Sequence, residues 1–211
     1  MHITPYYTPI QLPKIEPDNW DIFWKIWNEE ADFVHKTTHP HEKSRLTLND
    51  KTCWRGMEIY DPTATKSNRS IELVSIDIRD RLPKMYESIQ TLKTFFKSLS
   101  LIFIESQYSI GSHTDKNIDK WMLRSFFYYP SPEPQWYFTR PDDNKGERTY
   151  ITLPQDTTWF AFNDSKAWHG TDYDEKYPKI LIKAYGSLRD DVLKDNLKRY
   201  EDYVLSFDSN S

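Results

Sequence analysis

From about residue 100 onward the chain falls into short apolar runs separated by tracts that no strand or helix can cross. The runs are residues 101–108, 122–129, 135–139, 149–153, 158–163 and 179–185, and the breaks between them include PSPEP, RPDDNKG and LPQD. Isoleucine, leucine, threonine and aromatic residues are frequent in the runs, a composition that suits strands. Strands that follow one another at spacings of roughly ten to fifteen residues suggest a sandwich or barrel rather than a parallel sheet.

The first half has a different texture. Trp20, Phe23, Trp24, Trp27, Ala31 and Val34 recur at three- and four-residue steps, which predicts a helix over 18–36, opened by Pro17 and Asp18. Leu82, Met85, Ile89, Leu92, Phe95, Phe96 and Leu99 predict a second helix over 81–99. Strand-like pieces at 52–60 and 71–78 lie between them, and the charged stretch 189–204 reads as a solvent-facing helix. The fold class expected is α+β: an eight-stranded jelly-roll core, N-terminal helices packed on it and a helix at the C-terminal end. At 211 residues one domain is expected, with 1–100 as support, 101–187 as the core that carries the chemistry, and 188–211 as helix and tail.

Composition removes several functions. Lys and Arg number 28 against 32 Asp and Glu, a net charge of −4, which disfavours a phosphate-tracking protein and hence a nucleic-acid partner. Five glycines leave no GxGxxG and no GxxxxGK[ST] loop to cradle a nucleotide phosphate. No apolar run reaches the length of a membrane span, and the first residues lack the apolar core of a signal peptide, so a soluble cytoplasmic protein is expected. The single cysteine, Cys53, excludes an internal disulfide framework and reads as a small buried apolar residue.

The chemistry is expected at His113-Thr114-Asp115. In a strand, residues i and i+2 point to one side, so this imidazole and carboxylate can converge on one ion. A triplet of this kind is expected about once by chance in such a chain. His169, in FNDSKAWHGTD, supplies the second imidazole. Two histidines and a carboxylate on one face leave three octahedral positions open, as non-haem Fe(II) oxygenation needs. A zinc hydrolase needs only one open position and a structural zinc site none. Lys179 stands ten residues after His169 at the head of an apolar strand, an awkward place for a cation unless it meets an anion.

These pieces, Q-Y-S-I-G-S-H-T-D (107–115), T-W-F-A-F-N-D-S-K-A-W-H-G (158–170) and P-K-I-L-I (178–182), resemble the double-stranded β-helix of the Fe(II)/2-oxoglutarate-dependent dioxygenases, in particular the prolyl-4-hydroxylase-like branch. The resemblance covers roughly residues 101–187. It implies His113, Asp115 and His169 as metal ligands, with Fe(II), 2-oxoglutarate and O2 required and ascorbate as reductant. It implies Lys179 as partner of the far carboxylate of 2-oxoglutarate, with Lys183 a rival on the same face. Tyr108 would add a hydrogen bond to that carboxylate, and Arg124 would meet the near carboxylate or a substrate anion. The activity implied is hydroxylation of an amino acid, a peptidyl residue such as proline, or a small metabolite, with release of succinate and CO2. The nucleic-acid demethylases of the same superfamily are disfavoured, because the last strand lacks R-x-N-x-T-x-R.

Two other functions compete: a cupin-type jelly-roll metalloenzyme that uses no 2-oxoglutarate, and a jelly-roll binding module with no activity. Lys179 separates the first from the oxygenase, since a cupin-type enzyme has no need of a cation there. Trp121 and Trp168 are candidates for lining a substrate pocket, and Trp136 reads as a core or rim aromatic. His35, His39 and His41 read as a surface loop, because Pro40 ends any helix that would place His35 and His39 on one face. The sequence gives no reading of oligomeric state.

Overall fold

A computed structural model of the chain describes residues 7–33, 55–60, 75–106, 110–114, 122–128, 135–139, 147–153, 157–162, 167–172 and 180–208. Its strands are β1 (Thr8–Ile10), β2 (Asp32–Phe33), β3 (Arg55–Tyr60), β4 (Ser75–Asp77), β5 (Phe96–Ser106), β6 (Ile110–His113), β7 (Met122–Tyr128), β8 (Trp136–Thr139), β9 (Thr149–Tyr150), β10 (Trp159–Phe162), β11 (Trp168–Thr171) and β12 (Ile180–Leu188). Its helices are α1 (Trp20–Glu30), α2 (Pro83–Lys93) and α3 (Asp190–Asp208).

The strands form two sheets. The larger runs β1-β10-β7-β12-β5-β3-β2, with β4 added beside β3, and the smaller runs β6-β11-β8-β9. All described pairings are antiparallel except β3 with β4. From β5 onward, β5, β7, β10 and β12 enter the large sheet while β6, β8, β9 and β11 enter the small one. The N-terminal strands β1 and β3 extend that same large sheet through β10 and β5.

Alternation along each strand sorts the apolar side chains into two layers. Ile180, Ile182 and Ala184 of β12, with Trp159 and Ala161 of β10, face a core shared with Phe23, Ile26 and Trp27 of α1 and Met85, Ile89 and Leu92 of α2. The residues between them point the other way. Leu181 of β12 with Phe160 and Phe162 of β10 join Trp136 and Phe138 of β8, Ile151 and Ala167 in a second cluster. That second cluster joins side chains of both sheets, so it marks the space between them.

Both N-terminal helices are shorter than their periodicity suggests. Asn19, not Pro17 or Asp18, caps α1, its side-chain oxygen accepting from the N–H groups of Asp21 (2.8 Å) and Ile22 (3.3 Å). The helix closes where Ala31 turns extended and leads into β2. The second helix ends at Lys93 because Phe96 already begins β5, which pairs with β12 over nearly its whole length. The apolar run 95–101 fits either period, and the long-range ladder decides it. At the far end of this ladder the backbones come very close: a Cβ on Gly186 would lie 2.3 Å from the carbonyl oxygen of Ser98.

Asp18, expected to help open α1, instead serves α2. The N-cap of α2 is Leu82, which offers no side-chain acceptor, and Pro83 follows it. Asp18 accepts from the N–H of Lys84 (2.8 Å) and of Met85 (3.0 Å) instead. Burial alone would raise its carboxyl, but these two backbone donors outweigh that and hold it below the usual carboxylate range. A lowered folded value means that the stabilisation is present above the unfolded pKa of about 3.9 and is lost as pH falls through the folded value. Asp18→Ala is therefore expected to destabilise the chain by about 1 kcal/mol at neutral pH. In urea melts across pH, its deficit against wild type should shrink below about pH 4.

Candidate metal centre

β11 lies between β6 and β8 in the small sheet, and its register sets His169 directly opposite His113. Directly opposed residues of an antiparallel pair share a face, so the two imidazoles meet, with ring centroids 4.5 Å apart and planes inclined by 48°. His169 is 1% exposed. The Trp136 ring lies parallel to it at 5.5 Å and 9°, and Phe162 meets it edge-on at 4.8 Å. Trp136 and Phe162 belong to the cluster between the sheets, so the histidine pair stands on the inner face.

The tautomer of His169 follows from its neighbour. Its Nδ1 lies 2.9 Å from the carbonyl oxygen of Ala167. A carbonyl only accepts, so Nδ1 carries the proton and Nε2 keeps the lone pair that a metal takes. Two imidazoles binding one ion at right angles, with metal–nitrogen bonds near 2.1 Å, would have centroids about 4.6 Å apart. The observed 4.5 Å separation of the two rings matches that spacing. Asp115, the third expected ligand, lies outside the described residues, and among the described residues no third His, Cys, Asp or Glu joins the two imidazoles.

The end of β11 is fastened from the opposite side of the sheet. Asp172 follows the strand and accepts from the Tyr150 hydroxyl at 2.6 Å and from the Arg148 guanidinium at 2.8 and 2.9 Å, while its own N–H donates to Gln135. The hydrogen bond to Asp172, reinforced by burial, raises the Tyr150 hydroxyl above its ordinary value. Arg148 also lies 4.3 Å above the Tyr137 ring. The latch ties β9 to β11 and holds the strand that carries His169.

Of the other expected site residues, Tyr108, Trp121 and Lys179 lie outside the described residues. Trp168 precedes His169 in β11, so alternation sets it on the opposite face of the sheet. Arg124 stands on β7 in register with Phe160 on one side and Lys183 on the other. Phe160 is a member of the cluster between the sheets, and Lys183 shares that inner face because it alternates with Ile182 and Ala184 of the helix-side core. Trp136, read as a core or rim aromatic, is buried in the core between the sheets, where it stacks on His169. The sequence reading undervalued one residue. Lys183, taken as the lesser rival of Lys179, is only 3% exposed.

No family model matches the chain, and a search of curated proteins found no match. Some solved structures resemble the chain weakly. A 2OG-Fe(II) oxygenase family oxidoreductase from Burkholderia pseudomallei has 11% identity and a TM-score of 0.41, over 79% of this chain and 80% of that one. A bsmA homolog from Methylobium petroleophilum PM1 has 14% identity and a TM-score of 0.37, over 80% and 81%. The Fe(II)/(alpha)ketoglutarate-dependent dioxygenase TqaL has 10% identity and a TM-score of 0.34, over 81% and 88%. Scores this low carry no residue from one chain to the other, and the site rests on its own geometry.

Proposed function

We propose that the chain is an Fe(II)- and 2-oxoglutarate-dependent oxygenase of jelly-roll fold, with the metal held by His113, His169 and Asp115. The observation that carries this reading is the pairing of His113 with His169 on the inner face, where the Ala167 carbonyl leaves Nε2 of His169 available. The sorting of consecutive strands between two facing sheets supports the jelly-roll. When bound, the metal supplies oxidative decarboxylation of 2-oxoglutarate to succinate and CO2, coupled to hydroxylation of a C–H bond.

The remaining work falls to the chain's own residues. Trp136 and Phe162 hold the His169 ring plane and keep water from its inner side. Lys183, paired across the ladder with Arg124, anchors the far carboxylate of the co-substrate; its burial makes it a better anchor than Lys179, which the ten-residue offset favours. The buried Lys183 also favours the oxygenase over a cupin-type metalloenzyme, which needs no such anchor. The substrate is an amino acid, a peptidyl residue such as proline, or a small metabolite. Succinate release with Fe(II), 2-oxoglutarate and ascorbate, measured across a panel of amino acids and peptides, tests the reading. Stimulation by at least one substrate class is expected, and no succinate with or without any of them contradicts it.

A further inference from the structure

The two sheets are tied together at one edge by Tyr7, the residue before β1. β1 ends the order of the large sheet and β9 that of the small one. Ile151, just past β9, still donates its N–H to the Trp136 carbonyl of β8. By alternation the N–H and carbonyl of Thr152 point off the edge of the sheet, as those of an edge strand do. Tyr7 takes both: its hydroxyl donates to the Thr152 carbonyl at 2.8 Å and accepts from the Thr152 N–H at 3.0 Å. One phenol thus makes the pair of bonds that a neighbouring strand would make. β1 itself is three residues long and includes Pro9, which has no N–H to give, so its short ladder to β10 gains a tie to the other sheet.

The ring below that hydroxyl reaches toward the histidines. It stacks on Phe138 at 5.5 Å and 8°, and meets Phe160 edge-on at 6.4 Å. Phe138 stands directly opposite His169 in the β8–β11 ladder and meets Phe162 edge-on at 5.3 Å. Phe162 in turn touches the His169 ring. Phe138, Phe160 and Phe162 are fully buried, whereas Tyr7 is half-buried and packs on their cluster from its margin. Resting on the reading of His113 and His169 as metal ligands, we propose that Tyr7 is a positioning residue for that centre. It closes the β1/β9 edge of the space between the sheets, keeps water out of it and, through Phe138 and Phe162, fixes the His169 ring.

Exchange of the His169 Nδ1–H with water, followed by imidazole-selective NMR of the metal-free full chain, tests this. In wild type this proton, held by the Ala167 carbonyl, should exchange slowly enough to be seen, and its loss in His169→Ala assigns it. Tyr7→Ala should speed the exchange by at least about tenfold, Tyr7→Leu by less, and Tyr7→Phe, which keeps the ring, least of all. The amide of Ile182, buried in the large sheet, reports opening of the whole fold and should not follow. Mn(II) affinity should fall about three- to tenfold in Tyr7→Ala, less than for loss of a ligand's own hydrogen-bond partner, and recover in Tyr7→Phe. Unchanged His169 exchange in folded Tyr7→Ala or Tyr7→Leu, or equal acceleration at Ile182, would overturn the role of Tyr7. A wild type that binds no Mn(II) would instead overturn the reading on which that role rests.

Discussion

Replacing His169 by alanine is expected to weaken divalent metal binding by more than about 100-fold, measured with Mn(II) as an air-stable probe. Loss of groups that merely orient a metal ligand already lowers affinity 10- to 100-fold, and His169 is a proposed ligand itself. The ring is buried against Trp136 and Phe162, so its removal also leaves a cavity, and some loss of stability accompanies the loss of metal. His113→Ala separates the two effects. That ring is only half-buried, so its stability loss should be smaller while its metal loss is as large. Wild-type Mn(II) affinity in either folded variant would remove that histidine from the site.

Lys183→Met should raise the 2-oxoglutarate concentration required for binding by roughly 10- to 150-fold. A charge-assisted hydrogen bond in a buried setting is worth about 1.5–3 kcal/mol, and each 1.4 kcal/mol is a factor of ten. Mn(II) affinity without co-substrate should hardly change. Methionine has similar length, and circular dichroism with a urea melt checks that the variant stays folded. That combination, an intact fold with lost co-substrate, is not what a structural lysine would give. Lys179→Met should have the smaller effect. The reverse order would return the anchor to Lys179, and no effect from either would set aside 2-oxoglutarate.

The parts that the sequence made legible are those where a single period dominates. The strands of 122–163 fall close to where alternation and turn residues put them, and both N-terminal helices exist with the apolar faces expected. Boundaries failed where two periods overlap. Residues 95–101 satisfy a helix as well as a strand, and only pairing with β12 decides between them. The charged 189–204 stretch read as solvent-facing because few of its described side chains point inward, Val192 and the amide of Asn196 among them.

At the site, sequence spacing brought His113 and His169 into one hypothesis, and the register of β6 on β11 brings them into ring contact. The weight of Lys183 was not legible. Offset from His169 favours Lys179, whereas burial depends on which residues of neighbouring strands close over a side chain. The role of Asn19 in place of Asp18 was hidden for a similar reason. Asp18 finds its donors on Lys84 and Met85, far along the chain.

The most direct test of the proposed centre is the visible spectrum of the protein mixed anaerobically with Fe(II) and 2-oxoglutarate. A weak charge-transfer band is expected only when protein, metal and oxo acid are all present, and it should be absent in His113→Ala and His169→Ala. No band at saturating Fe(II) and 2-oxoglutarate, or an undiminished band in both histidine variants, would contradict a histidine-held iron that takes the co-substrate between the two sheets.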